Sequence, residues 1–316
     1  MTRVLITGAT GFVGRALASL LNRSPDYVVV TASRSTRHIL EGVEHRAHDL
    51  LNPDRVPELS DIDVVIHTAA RVHVMDDQST DKLGAFRAAN VVGTIALASA
   101  AAQAGVKRFI CLSSIKVNGE ETAPGTPFTA RDLPNPQDAY GISKWEAEQA
   151  LRELELKTGI EVVVVRPPLV YGPGVKANFA GMMRWLSRGV PLPLGAIKNQ
   201  RSLVALGNLV DLLSVCVWHP AAKGQTFLVS DGADLSTTQL VQRMAKAMGC
   251  EARLLPVPGS VLRAAAFVMG KQAIAQRLCG FLQVDMDHTR SLLGWTPPLP
   301  IEEALKITAD DFRAKK

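Results

Sequence analysis

The stretch Val4-Leu-Ile-Thr-Gly8-Ala-Thr10-Gly11-Phe12-Val13-Gly14 decides how this chain is read, because a short apolar strand pattern runs into three closely spaced glycines and then a helical pattern. Glycine lets the backbone turn tightly and pass close to a ligand, and the N-terminus of the next helix favours an anion. A glycine triplet elsewhere would carry little weight. Set between a strand and a helix, this one reads as a loop for the pyrophosphate of a dinucleotide.

Outward from that loop, apolar runs alternate with helical patterns: Gly14–Asn22, Tyr27–Ala32, Val64–His67, Ala85–Ala104, Phe109–Leu112, Tyr140–Thr158 and Val162–Arg166. Continuous β-branched runs such as Val162-Val-Val-Val165 suit parallel strands covered on both faces by helices. Right-handed crossovers then give an α/β fold with a doubly wound parallel sheet. The rhythm breaks at Pro167-Pro168-Leu-Val-Tyr-Gly-Pro173, where proline removes amide donors and disfavours helix in the residue before it. We expect a dinucleotide-binding domain over 1–170 and a smaller mixed α/β substrate lobe over 171–316, with about 202–220 crossing back to the first domain. Helices are expected near Phe179–Arg188, Leu209–His219, Thr237–Met248 and Ile301–Phe312.

Apolar residues make up 47% of the 316 and charged residues 21%, the balance of a folding globular chain rather than a disordered one. The net charge of +5 comes from scattered Lys and Arg without a basic block, so a phosphate-rich small molecule is expected and nucleic acid is not. Cys111, Cys216, Cys250 and Cys279 show no ligand spacing, which predicts reduced thiols and no metal site. Met1-Thr-Arg leads directly into the first strand, so no signal peptide and a cytoplasmic location are expected. Arg263, Lys271 and Arg277 interrupt the apolar stretch Val261–Leu278, which predicts an amphipathic helix over the substrate lobe and no membrane-crossing segment. Membrane surface contact is the lesser alternative.

The second strand pattern runs into Thr31-Ala-Ser33-Arg34-Ser35-Thr36-Arg37, with no acid to accept from an adenosine ribose 2′-hydroxyl. Ser33, Arg34 and Arg37 suit a 2′-phosphate, so NADP(H) is favoured; if the two arginines are only solvated loop charges, NAD(H) stays open. Asp49 and Leu50 are placed beside the adenine, with a simple turn cap as the alternative for Asp49.

Tyr140 and Lys144 stand one helical turn apart and share a face. A cation beside a phenol favours the phenolate and is expected to lower its pKa, so that Tyr140 can exchange a proton with a sugar oxygen. Ser114, at the end of the strand pattern that begins at Phe109, could hydrogen-bond the same oxygen. In order, Thr7–Gly14, His67-Thr-Ala-Ala70, Asn90-Val-Val-Gly-Thr94, Ser113-Ser114, Tyr140-xxx-Lys144, Arg166-Pro-Pro-Leu-Val-Tyr-Gly-Pro173 and Arg201-Ser-Leu-Val204 resemble the extended short-chain dehydrogenase/reductase family over essentially the whole chain. The resemblance implies that Lys144 also holds the nicotinamide ribose, that Asn90 supports the active-site helix, and that Thr68, Ala69, Ala70 and Pro167 line the cofactor. For His67 a satisfied strand-end histidine is preferred. The same resemblance implies that Lys116, Asn118, Lys176, Asn178 and Arg201 meet a nucleotide-sugar substrate, probing its sugar or clamping its diphosphate. It also implies a homodimer through about Ala85–Ala104 and Trp145–Thr158.

Ser114-Ile-Lys-Val-Asn-Gly119 lacks the Asp-Glu pair of the family's 4,6-dehydratases, which disfavours dehydration. The overall pattern looks like enzymes of surface-polysaccharide synthesis that reduce a UDP-linked 4-keto-6-deoxy-N-acetylhexosamine to UDP-N-acetylquinovosamine. The alternatives are an NAD-dependent UDP-hexose 4-epimerase and, from another class, a non-catalytic NAD(P)-sensing regulator.

Overall fold

The computed structural model describes residues 1–35, 40–72 and 81–315. Its centre is a parallel sheet of seven strands in the order β3-β2-β1-β4-β5-β6-β9. These are β1 (Thr2–Thr7), β2 (Tyr27–Ser33), β3 (Glu44–Ala47), β4 (Val64–His67), β5 (Arg108–Leu112), β6 (Glu161–Arg166) and β9 (Thr226–Leu228). All of β4 is buried, and so are Val162–Arg166 of β6, as strands covered by helices on both faces require. The doubly wound α/β reading therefore holds. Between β1 and β4 the strand order reverses, and crossovers leave there in opposite directions, opening a crevice at the strands' C-terminal ends.

Helices α1 (Phe12–Leu21), α2 (Lys82–Arg87), α3 (Thr94–Gln103) and α4 (Ala139–Thr158) cross over between these strands. Asp138 caps α4 by accepting from Gly141 N at 2.7 Å, and Gly159, at φ 79°, ends it. Beyond β6 come β7 (Leu169–Tyr171), α5 (Ala177–Ser187), β8 (Leu203–Ala205), α6 (Leu206–Trp218), α7 (Thr237–Met248), α8 (Gly259–Val268), α9 (Gln272–Cys279), α10 (Asp287–Leu293) and α11 (Ile301–Ala314). β7 and β8 form a separate parallel pair. Two cores divide this half of the chain. Leu209, Leu213 and Phe227 join Leu17 of α1 against the large sheet, as do Leu293 and Trp295. A second core gathers Phe179, Met183, Val241, Met244 and Leu305 from α5, α7 and α11.

Several elements differ from their sequence reading. The helix expected over Ala85–Ala104 is α2, a π-helical segment Ala88–Gly93 and α3, because Gly93 passes so close to Leu50 that a Cβ there would lie 2.9 Å from the Leu50 Cβ. The single helix expected over Val261–Leu278 is the hairpin α8–α9, broken where Gly270 takes φ 65°. β7, β8 and β9 carry no strand signal of their own, each being three residues long. One run among the described residues, Lys82–Gln103, is long and apolar enough by length and composition to cross a membrane. Its Leu97, Ala98 and Ala101 are fully buried beneath the sheet, which makes it a core helix.

Candidate active site

The glycine loop lies at the reversal point. Gly8 has φ 69°, and a Cβ there would stand 2.6 Å from the amide nitrogen of Ala69 in the segment that follows β4. At Gly14 a Cβ would meet Thr68 Oγ1 at 2.7 Å and the Gly8 carbonyl carbon at 2.8 Å, while Thr68 itself donates to Thr7 O at 2.6 Å. Backbone alone therefore builds the cradle. Thr10 and Gly11 are exposed; Gly11 opens α1 with no side-chain cap, and no acid occupies the first turn beside Phe12 and Val13. An uncapped helix N-terminus behind a side-chain-free cradle fits the diphosphate of a dinucleotide, and Ala69 and Ala70 continue the lining from β4.

At the adenosine end, Ser33 departs from its expected role. It is buried, and its hydroxyl donates to Ser35 O at 3.1 Å beside His45 Nε2 at 3.3 Å, so it is spent on the turn rather than presented to a phosphate. His45, of β3, also lies 2.9 Å from Thr31 Oγ1 through Nδ1. Arg34 is exposed, and Arg37 lies outside the described residues. Asp49 accepts from Leu51 N at 3.1 Å and so closes a turn, the simpler of its two readings, while Leu50 is buried against Gly93.

α4 carries Tyr140 and Lys144. Its first turn sits directly on the 3-10 turn Ile115–Val117, since a Cβ on Gly141 would be 2.9 Å from Lys116 O. That contact sets Tyr140 beside the turn that Ser114 caps. Ser114 Oγ accepts from Lys116 N at 3.3 Å, which leaves its own O–H to be donated elsewhere. The Tyr140 ring packs edge-on against Phe86 at 6.0 Å. Its phenol is pushed up by burial, which outweighs the opposing pull of Lys144 and Lys116, so the lowering expected from the four-residue spacing is reversed. Lys144 is 1% exposed and makes no salt bridge among the described residues. Its side chain therefore has donors free to meet oxygens of a bound ligand. Asn90, in the π-helical segment, is fully buried. Its Oδ1 accepts from Arg71 N at 2.8 Å, and its Nδ2 donates to Arg71 O and to Ser143 Oγ, each at 3.0 Å. Ser143 in turn donates to Tyr140 O at 2.8 Å. Asn90 thus ties the segment after β4 to the start of α4. His67 is satisfied between Thr7 Oγ1 at 2.8 Å and Thr94 Oγ1 at 3.0 Å.

The residues read as substrate ligands divide. Lys116 is held by Asp138 and Glu120. Asn118 departs from its expected role: it is 2% exposed, its Oδ1 accepts from Arg166 at 2.9 Å and its Nδ2 donates to Thr129 O at 2.9 Å, so its amide is consumed inside the protein. Lys176 and Asn178 are exposed at the start of α5, flanking Ala177, which holds a left-handed φ of 53°. Such backbone costs an alanine about 1–3 kcal/mol and marks a segment whose shape is imposed by its surroundings. Arg201 is half-buried and donates to Gly280 O at 3.1 Å, with its pKa lowered chiefly by burial. Pro167, buried at the end of β6, accepts from Ile115 N at 3.0 Å and so fixes the Ser114 turn from below.

The family model described as "NAD dependent epimerase/dehydratase family" matches residues 4–230. The chain belongs to that family. It is 47% identical over 311 residues, 98% of this chain and 95% of the other, to a UDP-glucose 4-epimerase of Vibrio cholerae. Among solved structures, a UDP-glucuronic acid 4-epimerase from Bacillus cereus in complex with NAD superposes with TM-score 0.78 at 20% identity, covering 99% of each chain. RMD from Pseudomonas aeruginosa complexed with NADPH does so at 0.77 and 22%, covering 98% of this chain and 99% of the other. The protein is therefore a nicotinamide-nucleotide-dependent enzyme of nucleotide-sugar chemistry.

This family member also holds a buried network that no sequence pattern had singled out. Arg166 of β6 forks onto Glu148 of α4, at 2.5 Å from NH2 to Oε2 and 3.1 Å from Nε to Oε1, while Ser113 donates to the same carboxylate. Glu148 lies eight residues, about two helical turns, beyond Tyr140, so this pair fastens α4 to β6. The signal was only an Arg at a strand end and a Glu on a helix, ordinary residues until the fold buries both.

Proposed function

We propose that the protein is a 4-epimerase of a UDP-linked hexose. The observation that carries this is the 47% identity to a UDP-glucose 4-epimerase across 98% of the chain. It favours epimerisation over the 4-keto reduction that the sequence motifs alone suggested. A nicotinamide nucleotide held at the Gly8–Gly14 loop and by Lys144 would supply the hydride acceptor and donor that epimerisation at C4 requires. Tyr140, as the phenolate, would take the proton from the sugar O4 hydroxyl as the carbonyl forms, and the resulting phenol would return it to O4 as the opposite alcohol forms. Lys144, one turn along α4, stabilises the phenolate when it is present and holds the ribose. Ser114 donates to O4 and stabilises charge there. Lys176, Asn178 and Arg201 line the diphosphate side, where the exposed start of α5 and the arginine offer donors to an anion. With no carboxylate at the end of β2 and an exposed Arg34, the adenosine end accepts NADP(H) as well as NAD(H). The free cysteines, three of them buried, accord with a reducing cytosol. Outer faces of α2–α4, where Val92 and Leu156 are exposed, would pair two copies.

The test is incubation of the purified protein with UDP-glucose, without added reductant, followed by resolution of the UDP-hexoses. Interconversion to UDP-galactose with nicotinamide unchanged in redox state supports the epimerase. Stoichiometric NADPH oxidation by a UDP-4-keto-6-deoxy-N-acetylhexosamine, without interconversion, would make it a reductase instead. The lack of an acid at the adenosine ribose favours that second reading.

A further inference from the structure

The hairpin α8–α9 has a composition unlike the rest of the surface. From Ala252 to Val284 the chain carries Arg253, Arg263, Lys271 and Arg277 but no Asp or Glu. All four cations are exposed, and no salt bridge among the described residues involves them. The turn is closed by Lys271 N donating to Ala266 O at 2.7 Å, with Gly270 at φ 65°. On that turn sit three consecutive apolar residues that the fold leaves in water: Phe267 at 69% exposure, Val268 at 85% and Met269 at 61%. Val261 and Ile274 extend the patch down both helices.

The root of the hairpin is fixed where the tip is not. Leu262 and Leu278 pack on the second core, and Cys279 is buried there. Asn199 Nδ2 donates to Leu278 O at 3.2 Å and to Gly280 O at 2.8 Å, the same carbonyl that Arg201 holds. Three consecutive exposed apolar residues on a turn whose own charges are all cationic, with Glu121 packed only at the hairpin's root, are the pattern of a partner surface rather than of scattered exposed side chains.

We propose that this hairpin docks the protein on an anionic bilayer surface, with Phe267, Val268 and Met269 entering the headgroup–acyl boundary and Arg263, Lys271 and Arg277 meeting lipid phosphates. Charge complementarity selects this occupant. A symmetric contact with a second copy would set the same cations against themselves, whereas anionic headgroups match both the cations and the absence of acids. Helices of ten and eight residues, about 15 and 12 Å long, are too short to cross about 30 Å of hydrocarbon, so the contact is interfacial. Docking in this pose holds the Arg201 side of the substrate site near the membrane plane.

The test is flotation of the full-length protein with vesicles of equimolar phosphatidylglycerol and phosphatidylcholine, and with phosphatidylcholine alone. It reads binding, not turnover, and so stands apart from the epimerase reading. Binding is expected to the anionic vesicles, weakening as salt rises. Phe267→Ser with Val268→Ser should lower partitioning about a hundredfold, and Arg263→Glu or Lys271→Glu about fivefold each or more. Thermal stability and turnover of soluble substrate should stay at the parent values, because these side chains touch neither core nor site. Failure of the parent protein to float, or flotation indifferent to the Phe267/Val268 change, overturns the proposal. So does a concentration-dependent dimer, seen by sedimentation, that Phe267→Ser abolishes, since a second copy would then be the occupant.

Discussion

Replacing Glu148 by Gln probes the network beneath the catalytic helix. The side chains of Arg166 and Glu148 are 5% and 3% exposed, and the carboxylate serves Arg166 through both oxygens while also accepting from Ser113. Gln keeps the shape but removes the charge, so one amide oxygen is left to accept where two carboxylate oxygens did, and among the described residues Arg166 keeps Asn118 as its other hydrogen-bonding side chain and Trp145 at 6.0 Å, but no anion. Breaking one partner of a buried ion pair costs about 3–5 kcal/mol. With an unfolding entropy of about 2.1 cal/mol/K per residue, the 316-residue chain should lose about 5–8 °C in Tm. Glu148→Leu combined with Arg166→Met removes both charges and should recover part of that loss, though Ser113 and Asn118 then lose partners at about 1–3 kcal/mol each. Thermal melts followed by circular dichroism, run as a double-mutant cycle, measure the coupling. A Glu148→Gln protein melting within about 1 °C of the parent, or a double variant as unstable as the two single losses added, would refute the reasoning.

Other expectations follow from the site. Tyr140→Phe should lower kcat by about 10²- to 10⁴-fold while leaving nucleotide binding intact, as steady-state kinetics beside calorimetric titration would show. Gly14→Ala forces a Cβ against Thr68 and the Gly8 backbone, so dinucleotide affinity should fall at least tenfold, with about 1–3 kcal/mol of stability lost, read by titration and urea melts. Arg34→Ala should weaken NADP⁺ more than NAD⁺; equal losses in Kd would deny it a phosphate contact. Burial holds His67 neutral, with its pKa well below the ordinary value, so below about pH 6.5 the unfolded chain binds a proton that the folded chain refuses. Stability should therefore fall as pH drops through that range, and His67→Gln should flatten the slope.

The early part of the fold was legible because its signals are local. Val64–His67 and Thr237–Met248 begin and end where apolar runs, a capping box and a terminal glycine place them. β7, β8 and β9 escaped because each is three residues long and becomes a strand only by pairing, β7 with β8 and β9 with β6. The kink in the Ala85–Ala104 region and the break at Gly270 likewise depend on what stands opposite. Within the candidate site, spacing put Tyr140 and Lys144 on one turn of α4 and the glycine loop between β1 and α1, but it gave no sign that Ser33 and Asn118 would be occupied inside the protein. Both are polar residues whose partners, Ser35 and His45 in one case and Arg166 and Thr129 in the other, were already provided by the protein.

The sequence by itself determined the doubly wound class, the backbone cradle at Gly8–Gly14 and the one-turn pairing of Tyr140 with Lys144, since each follows from covalent geometry and local periodicity. Only the tertiary structure decided which polar groups remain available to a ligand, because that depends on neighbours distant in sequence. It also reversed the direction of the Tyr140 shift, as desolvation is a property of the packed environment and outweighs the adjacent cation. Likewise, packing against the second core, not the shared apolar pattern, separates Leu262 and Leu278, which lie on it, from Phe267, Val268 and Met269, which stay exposed.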